Sequence, residues 1–293
     1  MILSIITINY NNASGLKKTM ESVMAQTSKN FEYIVIDGGS TDHSLEIIKS
    51  FTSIPHGIYT PKTDKQLKPP ITYWISEPDT GIYNAMNKGI RMAKGDYCQF
   101  LNSGDWLASP HVTIQMLENL PEKGILIGNM LKMMPGGKVL RDCGLGFAQP
   151  TFLTFYRGTL NHSPAYIRRD LFTRYGFYDE NLRIVSDWKW YLQAVGLNNE
   201  QVTYFDKDVT CFEMTGISNV NNNQEMRERR KVLEELIPGP ILADYDRFYS
   251  HMMQIQRMKN SKWLYGLFWF AERCLFKIEK WRLQHFGWKK QQD

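Results

Sequence analysis

Cysteine is scarce in this chain. There are four in 293 residues (Cys98, Cys143, Cys211 and Cys274), and no two are spaced as CxxC. That argues against a zinc site or a disulfide framework and fits a reducing compartment. Long apolar runs are also missing, since no stretch reaches the roughly 18 residues that a membrane-spanning helix needs. The N-terminus, MILSIITINY, has no basic n-region and turns polar within a few residues, so it reads as a first strand and not a signal peptide. The loop after that strand, Asn9-Tyr10-Asn11-Asn12, carries no G-x-G-x-x-G, and no Walker lysine loop occurs. Dinucleotide-dependent hydride transfer and P-loop ATP hydrolysis are therefore disfavoured.

What is present is the composition of a soluble globular protein, 43% apolar and 22% charged, long enough for one large α/β domain or two small ones. The net charge of +5 is unevenly spread. From Met252 to Asp293 there are nine Lys/Arg against three Asp/Glu, a surplus of six, so the rest of the chain is close to neutral. The basic character belongs to the tail, which suggests two functional regions.

Ile2 to Ile8 (ILSIITI) reads as a buried parallel strand. Ser14 is placed to cap a helix with Leu16, Met20 and Val23 on its apolar face. Phe31 to Ile36 predicts a second strand, stopping at Asp37-Gly38-Gly39-Ser40-Thr41-Asp42, with a helix through Leu45, Ile47 and Ile48 after it. The Pro/Lys-rich stretch from about Ser53 to Pro70 reads as an irregular insertion. A third strand, Ile71 to Ser76, leads to Glu77-Pro78-Asp79-Thr80-Gly81 and a helix from Ile82 to Ala93. Asp96 to Leu101 is the fourth strand, ending in Asn102-Ser103-Gly104-Asp105.

This βαβα alternation predicts an α/β fold with a mostly parallel sheet and helices on both faces. Ligands of such sheets bind beyond the carboxyl ends of the strands. Each of the four strands here is followed by polar groups: Thr7 and Asn9; Asp37; Glu77 and Asp79; Asn102 and Asp105. Parallel strands bring those groups to one edge, where Asn87 of the following helix is also expected. A carboxylate at such an edge suits a site where a hard cation such as Mg²⁺ or Mn²⁺ meets an anionic ligand. Asp105 is the candidate metal ligand, with Gly104 allowing close backbone approach. An ordinary turn before a helix capped near Ser109-Pro110 is the plain alternative for Asp105.

Four blocks, "SIITINYNN", "VIDGGSTDHS", "SEPDTGIYNAMNKGIRMAKGDY" and "FLNSGDW", resemble glycosyltransferase family 2 in order and spacing, from Met1 to about Asn219. The closest flavour is the bacterial branch that builds cell-surface polysaccharides. The resemblance implies a GT-A (Rossmann-like) fold and inverting transfer from a nucleotide-sugar donor. It implies that Thr7 and Asp37 flank the nucleotide base, and that Asn102 to Asp105, Ser103 and Gly104 included, stand in for the family's DxD-type motif. It puts His162 of "LNHSPAYIRRD" near the diphosphate, a buried hydrogen-bonded histidine being the plain alternative. It puts Asp187 of "RIVSDWKWYLQ" at the general base that takes the acceptor hydroxyl's proton. Asp187 also suits a helix N-cap. Two departures stand out. Gly38 follows Asp37 where many members have a second aspartate, and Asn102 replaces the usual first acid.

Asp179 reads as holding its loop, Trp188 and Trp190 at helical spacing read as core, and Arg168 and Arg169 as a surface pair. The polar run Asn219 to Gln224 reads as a linker or a mobile loop. In the tail, Trp263, Leu267, Phe270, Cys274, Ile278 and Trp281 recur at helical spacing, widened by Leu264, Phe268 and Leu275, with Arg273, Lys277 and Lys280 on another face. Such a C-terminal amphipathic helical tail suits a membrane surface through 252–290, the alternative being packing on the catalytic domain or a second subunit as a homo-oligomer. Nucleic acid is not expected. The expected organisation is 1–105 for the nucleotide-sugar, 106–220 for the acceptor and 221–293 for the helical tail. The expected location is cytoplasmic, peripheral on the inner face of the membrane. The expected acceptor is a hydroxyl of a glycan, lipid-linked in many such pathways. The competing readings are a nucleotidyltransferase-like enzyme and a non-catalytic glycan- or membrane-binding relative.

Overall fold

The structure is a computed structural model and describes residues 3–28, 30–52, 71–146, 148–213 and 222–285. The insertion expected at Ser53 to Pro70 lies outside them. Contacts divide the chain into two compact units, Met1–Arg229 and Arg230–Asp293, with the boundary inside a helix.

The first unit is built on one sheet. Four strands, β1 (Leu3–Asn9), β2 (Phe31–Asp37), β3 (Tyr73–Ser76) and β4 (Tyr97–Phe100), alternate with helices α1 (Ala13–Met24), α2 (Ser44–Ser50) and α3 (Ile82–Met92). There follow β5 (Trp106–Leu107), α4 (Val112–Glu118), β6 (Ile125–Met133), β7 (Val139–Asp142), α5 (Phe152–Arg157), β8 (Ala165–Arg168), α6 (Asp170–Tyr175), α7 (Ser186–Tyr191) and β9 (Val202–Glu213). The strand order is β3-β2-β1-β4-β8-β6-β9-β5, with β7 paired to β6. The first four strands are all parallel. Beyond β4 the sheet is mixed, with β8 antiparallel to both β4 and β6, and β6 parallel to β9. The parallel character expected from βαβ repetition therefore holds in the first half and gives way in the second.

β1 is buried along its whole length, as a central strand covered on both faces must be. Leu3 and Ile5 join Leu16, Met20 and Val23 of α1, Ile48 of α2 and Met116 of α4 in one core. On the opposite face α3 lies against the sheet at Gly89, where a Cβ would stand 2.4 Å from Ile6 Cγ2. Glycine there is a matter of contact, because any larger residue would lift the helix from the strand.

Several boundaries differ from expectation for local reasons. α1 is capped by Asn12 and not Ser14, because the Asn12 side chain accepts the Gly15 N–H at 3.2 Å. β3 begins at Tyr73 and not Ile71. Thr72 N–H donates to Tyr33 O at 2.8 Å, but it is the Thr72 hydroxyl and not its carbonyl that meets the Tyr33 N–H, and the ladder starts two residues later than expected. α4 begins at Val112, after His111, and Ser109 supplies only a carbonyl to Val112 N–H. Asn222 to Gln224, expected in a linker, form the first turn of α8 (Asn222–Leu236), while Asn219 to Asn221 lie outside the described residues.

The second unit holds the end of α8 with α9 (Gly239–Lys259) and α10 (Lys262–His285). Arg230 ties α8 to α9 by pairing with Asp246 at 2.8 Å. On α10, Trp263, Leu264, Leu267, Phe268, Trp269 and Phe270 are all exposed, and at 100° per residue they reach every side of the helix. No helix among the described residues is long and apolar enough to cross a membrane.

Candidate active site

The parallel register sets the edge. Asn9 pairs with Asp37, and Asp37 with Ser76, so β1, β2 and β3 end at one level. β4 joins them through Ser103 N–H, which donates to Ile8 O at 3.0 Å. The polar strand ends expected from the sequence thus share one edge.

Asp37 is fully buried and saturated. Its Oδ1 accepts from Asn9 Nδ2 (2.7 Å) and Ser40 Oγ (2.6 Å), and its Oδ2 from Ser76 Oγ (2.7 Å) and Ser40 N–H (2.9 Å). Burial raises its pKa, but those donors outweigh it and hold the carboxyl below its ordinary value. Asn9 Nδ2 also reaches Ser40 Oγ at 3.2 Å, while its Oδ1 is buried without a hydrogen-bond partner. Thr7 lies deeper than the edge. Its hydroxyl donates to Leu101 O (2.8 Å) and accepts from Tyr33 (3.0 Å), so both its roles are filled inside the sheet.

Asp79 comes over from the end of β3. Its Oδ1 accepts the Gly81 N–H at 3.0 Å. A Cβ built on Gly38 would lie 2.4 Å from Asp79 Oδ2 and 3.3 Å from the ring of Tyr10, which is 64% exposed. The missing second acid after β2 is therefore matched by a carboxylate from β3 in the adjoining space. Burial raises the Asp79 pKa. Gly81 and Lys88 oppose that, and the charge of Asp37 adds to it.

The turn from Asn102 to Asp105 is held by α1. Thr19 Oγ1 donates to Asp105 O (2.6 Å) and accepts Gly104 N–H (3.0 Å), and Asn12 Nδ2 donates to Ser103 O (3.0 Å). Gly104 has φ +107°, a conformation that side chains rarely adopt. The Asp105 carboxylate is 7% exposed, yet it receives no hydrogen bond from any described residue. Burial, and then the charge of Glu213, push its pKa up to about 8. Asn102 Oδ1 is likewise buried without a partner. Beside them Lys18 lies 3.3 Å above the Trp106 ring and pairs with Glu213.

The second half contributes Asp187, the second residue of α7. The helix is preceded by Val185 with no side-chain cap. Asp187 thus does not serve as N-cap; its Oδ1 accepts from the Tyr83 hydroxyl at 2.9 Å. His162 stacks on Phe100 at the end of β4, 4.9 Å between centroids, and its Nε2 lies 2.8 Å from the Tyr178 hydroxyl. Burial holds the His162 pKa below its usual value, with the charge of Asp187 opposing. Phe100 and His162 thus link the β4 end of this polar edge to the neighbourhood of Asp187.

Asn87 serves a different task from the one expected. Its Nδ2 donates to Tyr178 O and Glu180 Oε1 (both 2.8 Å), and its Oδ1 accepts Tyr178 N–H (3.0 Å). The amide is spent fixing the 178–180 loop. Asp179 pairs with Lys189 at 2.9 Å, and Trp188 and Trp190 are 2% exposed, donating to Phe155 O and Gly176 O. Arg168 meets Asp170 at 3.0 Å, and Arg169 donates to Gly95 O. Sequence reasoning gave no role to Asn12, Thr19, Ser40, Ser76 or Tyr83. Four of them, all but Thr19, sit inside the quoted motifs, where their neighbours drew the attention.

The family model described as glycosyl transferase family 2 matches residues 4–131. An uncharacterised glycosyltransferase of Mycobacterium tuberculosis is 34% identical over 220 residues, 73% of this chain and 76% of the relative. The chain belongs to glycosyltransferase family 2. A PGL/p-HBAD biosynthesis glycosyltransferase of Mycobacterium bovis is 26% identical, covering 78% of this chain and 83% of the relative. Among solved structures, S. aureus TarS 1-349 in complex with UDP-GlcNAc aligns at a TM-score of 0.59 and 18% identity, over 80% of this chain and 67% of that one. The mannosyltransferase PcManGT of Pyrobaculum calidifontis, in complex with GDP-Man and Mn²⁺, aligns at 0.53 and 13% identity, over 78% and 60%. These likenesses establish the GT-A-type fold. With the family known, the enzyme is a glycosyltransferase and the nucleotidyltransferase reading falls away.

Among the described residues no three His, Cys, Asp or Glu side chains group to hold a metal. The residues still fit a hard cation bound mainly by its substrate. A buried carboxylate without a donor and an amide oxygen without a partner, three residues apart in one turn, leave oxygen ligands available.

Proposed function

We propose that this family 2 enzyme transfers a sugar, with inversion, from a nucleotide-diphosphate sugar to a hydroxyl of a glycan in cell-surface polysaccharide synthesis. The observation that carries the reading is the Asn102–Asp105 turn, at the edge where four strand ends converge: Asn102 Oδ1 is buried without a partner, and the buried Asp105 receives no side-chain hydrogen bond from a described residue. Asp105, with Asn102 beside it, would hold Mg²⁺ or Mn²⁺; when bound, that ion neutralises charge on the leaving diphosphate. Gly104 keeps the turn open to phosphate, and Ser103 offers its side chain at the same turn. Asn9 and Asp37 shape the nucleotide end, Thr7 supports it from below, and Asp79 supplies the acceptor atom for a base N–H beside Gly38.

Asp187 takes the proton of the attacking hydroxyl, which adds to the anomeric carbon opposite the departing diphosphate. His162 lies between the two halves, and its depressed pKa keeps it neutral near pH 7, able to donate or accept one hydrogen bond toward the diphosphate. The UDP-GlcNAc and GDP-Man complexes of the structural neighbours support a nucleotide-sugar donor, and the Mn²⁺ of one supports the metal.

The tail supports a lipid-linked acceptor. The first turns of α10 are apolar on all sides, and Arg273, Lys277, Lys280 and Arg282 follow. Exposed apolar side chains followed by this basic run suit attachment to an anionic lipid surface at the inner membrane face. Sedimentation with phosphatidylglycerol vesicles should capture the full chain and lose a Trp263→Ser/Phe270→Ser variant. Equal partition of both would remove the membrane reading.

The transferase reading is tested by thermal shift with UDP, GDP and dTDP, with and without Mn²⁺. A nucleotide that raises the melting temperature only with the metal is the expected result. No response to any of the three, with or without metal, would leave a non-catalytic relative as the better description. Asp187→Asn should bind the same nucleotide and lose turnover by about a thousandfold.

A further inference from the structure

Tyr83, in the first turn of α3, is 5% exposed and points its hydroxyl out of the donor half into the segment that carries Asp187. That hydroxyl lies 2.6 Å from Ile184 O and 2.9 Å from Asp187 Oδ1. It has one proton for two acceptors three residues apart, and so holds the turn and the carboxylate together. Burial first, and then the charge of Asp187, push the phenol well above its ordinary pKa. It is therefore a permanent donor at physiological pH and not an acid or base in its own right.

The turn it grips is fixed from the other side as well. The Glu228 carboxylate of α8 collects three successive backbone N–H groups, from Arg183 (3.1 Å), Ile184 (2.9 Å) and Val185 (3.3 Å). Ile184 O is thus held where Tyr83 meets it. His162, Tyr178, Tyr191 and Arg229 also face Asp187 closely enough to feel its charge. Of the described residues only Tyr83 donates a hydrogen bond to it, and that bond goes to Oδ1. Oδ2 receives none.

We propose that Tyr83 is a positioning residue for the transfer step, pinning Oδ1 of Asp187 so that Oδ2 keeps a free lone pair aimed at the incoming hydroxyl. The inference rests on Asp187 acting as the base. A general base must present an unoccupied lone pair in a fixed direction. A carboxylate free to turn about its Cβ–Cγ bond spreads that lone pair over many orientations. Tyr83 removes this freedom, and Glu228 steadies the frame in which it does so. Because α3 starts directly after the Glu77–Gly81 turn, the residue that orients the base is carried by the helix that begins at the donor edge.

The test is a double-mutant cycle on the full chain. Nucleotide diphosphate release from a panel of UDP-, GDP- and dTDP-sugars is measured with water as acceptor, using the fastest donor. Tyr83→Phe keeps the ring, which packs 5.7 Å from Tyr178, and removes only the hydroxyl. It should lower kcat about tenfold and leave KM for the donor within about twofold. In an Asp187→Asn background the same change should alter the residual rate by less than about twofold, since orienting a group that no longer takes the proton gains nothing. Equal losses in both backgrounds, or an unchanged kcat in Tyr83→Phe, would overturn the proposal while Asp187 stands as base. Wild-type kcat in Asp187→Asn would instead remove the base reading. If Tyr83→Phe melts too low to assay, Glu228→Gln loosens the same frame and should show the same background-dependent loss; a loss that ignores the background counts against the proposal.

Discussion

Two aspartates end neighbouring regions of the same edge and are treated in opposite ways. Asp37, the last residue of β2, is buried among four donors from Asn9, Ser40 and Ser76, which hold its carboxyl in the charged form. Asp105, after β4, is buried beside Glu213 with no donor among the described residues. The first charge is satisfied by the protein, so it stabilises the fold and shapes the edge without needing anything from outside. The second is a carboxyl whose charged form the fold does not compensate, so burial favours its protonated form in the absence of a cation, and a carboxyl shifted in this way marks a cation-binding or catalytic candidate.

The sharpest way to break this contrast is to neutralise each carboxylate in turn. Asp105→Asn should reduce sugar transfer about a thousandfold and abolish the Mn²⁺-dependent part of the nucleotide thermal shift. Its melting temperature without ligand should stay level near pH 7 and rise relative to wild type above about pH 8, where Asp105 would otherwise carry a buried unpaired charge. Asp37→Asn should do the reverse in emphasis. It leaves the Ser40 and Ser76 donors poorly matched and should cost roughly 2–4 kcal/mol of stability, with activity falling in step. Paired urea melts and turnover measurements on the two variants check both. Similar stability losses in the two would show that Asp105 is held internally after all.

The contrast also measures what could be read in the sequence. The strand ends, the shared edge and the candidate acids were visible because β-branched runs stop abruptly at polar residues, and a parallel sheet brings like ends together. That Asp37 would be saturated and Asp105 bare was not visible. The difference depends on Ser76, 39 positions from Asp37, and on what α1 spends on the other turn: Thr19 and Asn12 bind only the backbone of residues 102–105. Asn87 misled for a similar reason. It lies on the helix next to the edge, but its partners come from 178–180, far along the chain. Glu228 lies past the point where the resemblance ends, so no motif could have drawn it into the site. Residues that act within one βα turn were legible, and those that act across the two halves were not.

A smaller effect sharpens the comparison at its nearest neighbour. Gly38 leaves room that Asp79 fills, so a carboxylate is supplied from β3 where the chain after Asp37 has none. Gly38→Asp alone should weaken nucleotide binding about tenfold, because its Cβ would press on Asp79 Oδ2 and add a like charge. Asp79→Gly alone should weaken it by a similar factor, through loss of the acceptor for the base. The double exchange Gly38→Asp/Asp79→Gly should recover most of both losses. Calorimetric titration with UDP, GDP and dTDP decides it. Additive losses in the double variant would mean that Asp79 holds only its own turn through Gly81.

The smallest expected effect is a pH dependence, and its sign separates Asp37 from a group that is merely buried. Hydrogen bonds keep its folded pKa below the ordinary aspartate value, even though burial opposes them. A carboxyl depressed in this way contributes stability that is fully present above its unfolded pKa, near 4, and is lost as pH falls through the folded value. The stability gap between wild type and Asp37→Asn should therefore be constant from about pH 7 to 5 and narrow below about pH 4. Urea titrations at half-unit steps give the gap directly. A gap that widens on acidification would mean burial dominates at Asp37, and the two strand ends would then be alike in kind, differing only in how many donors happen to lie nearby.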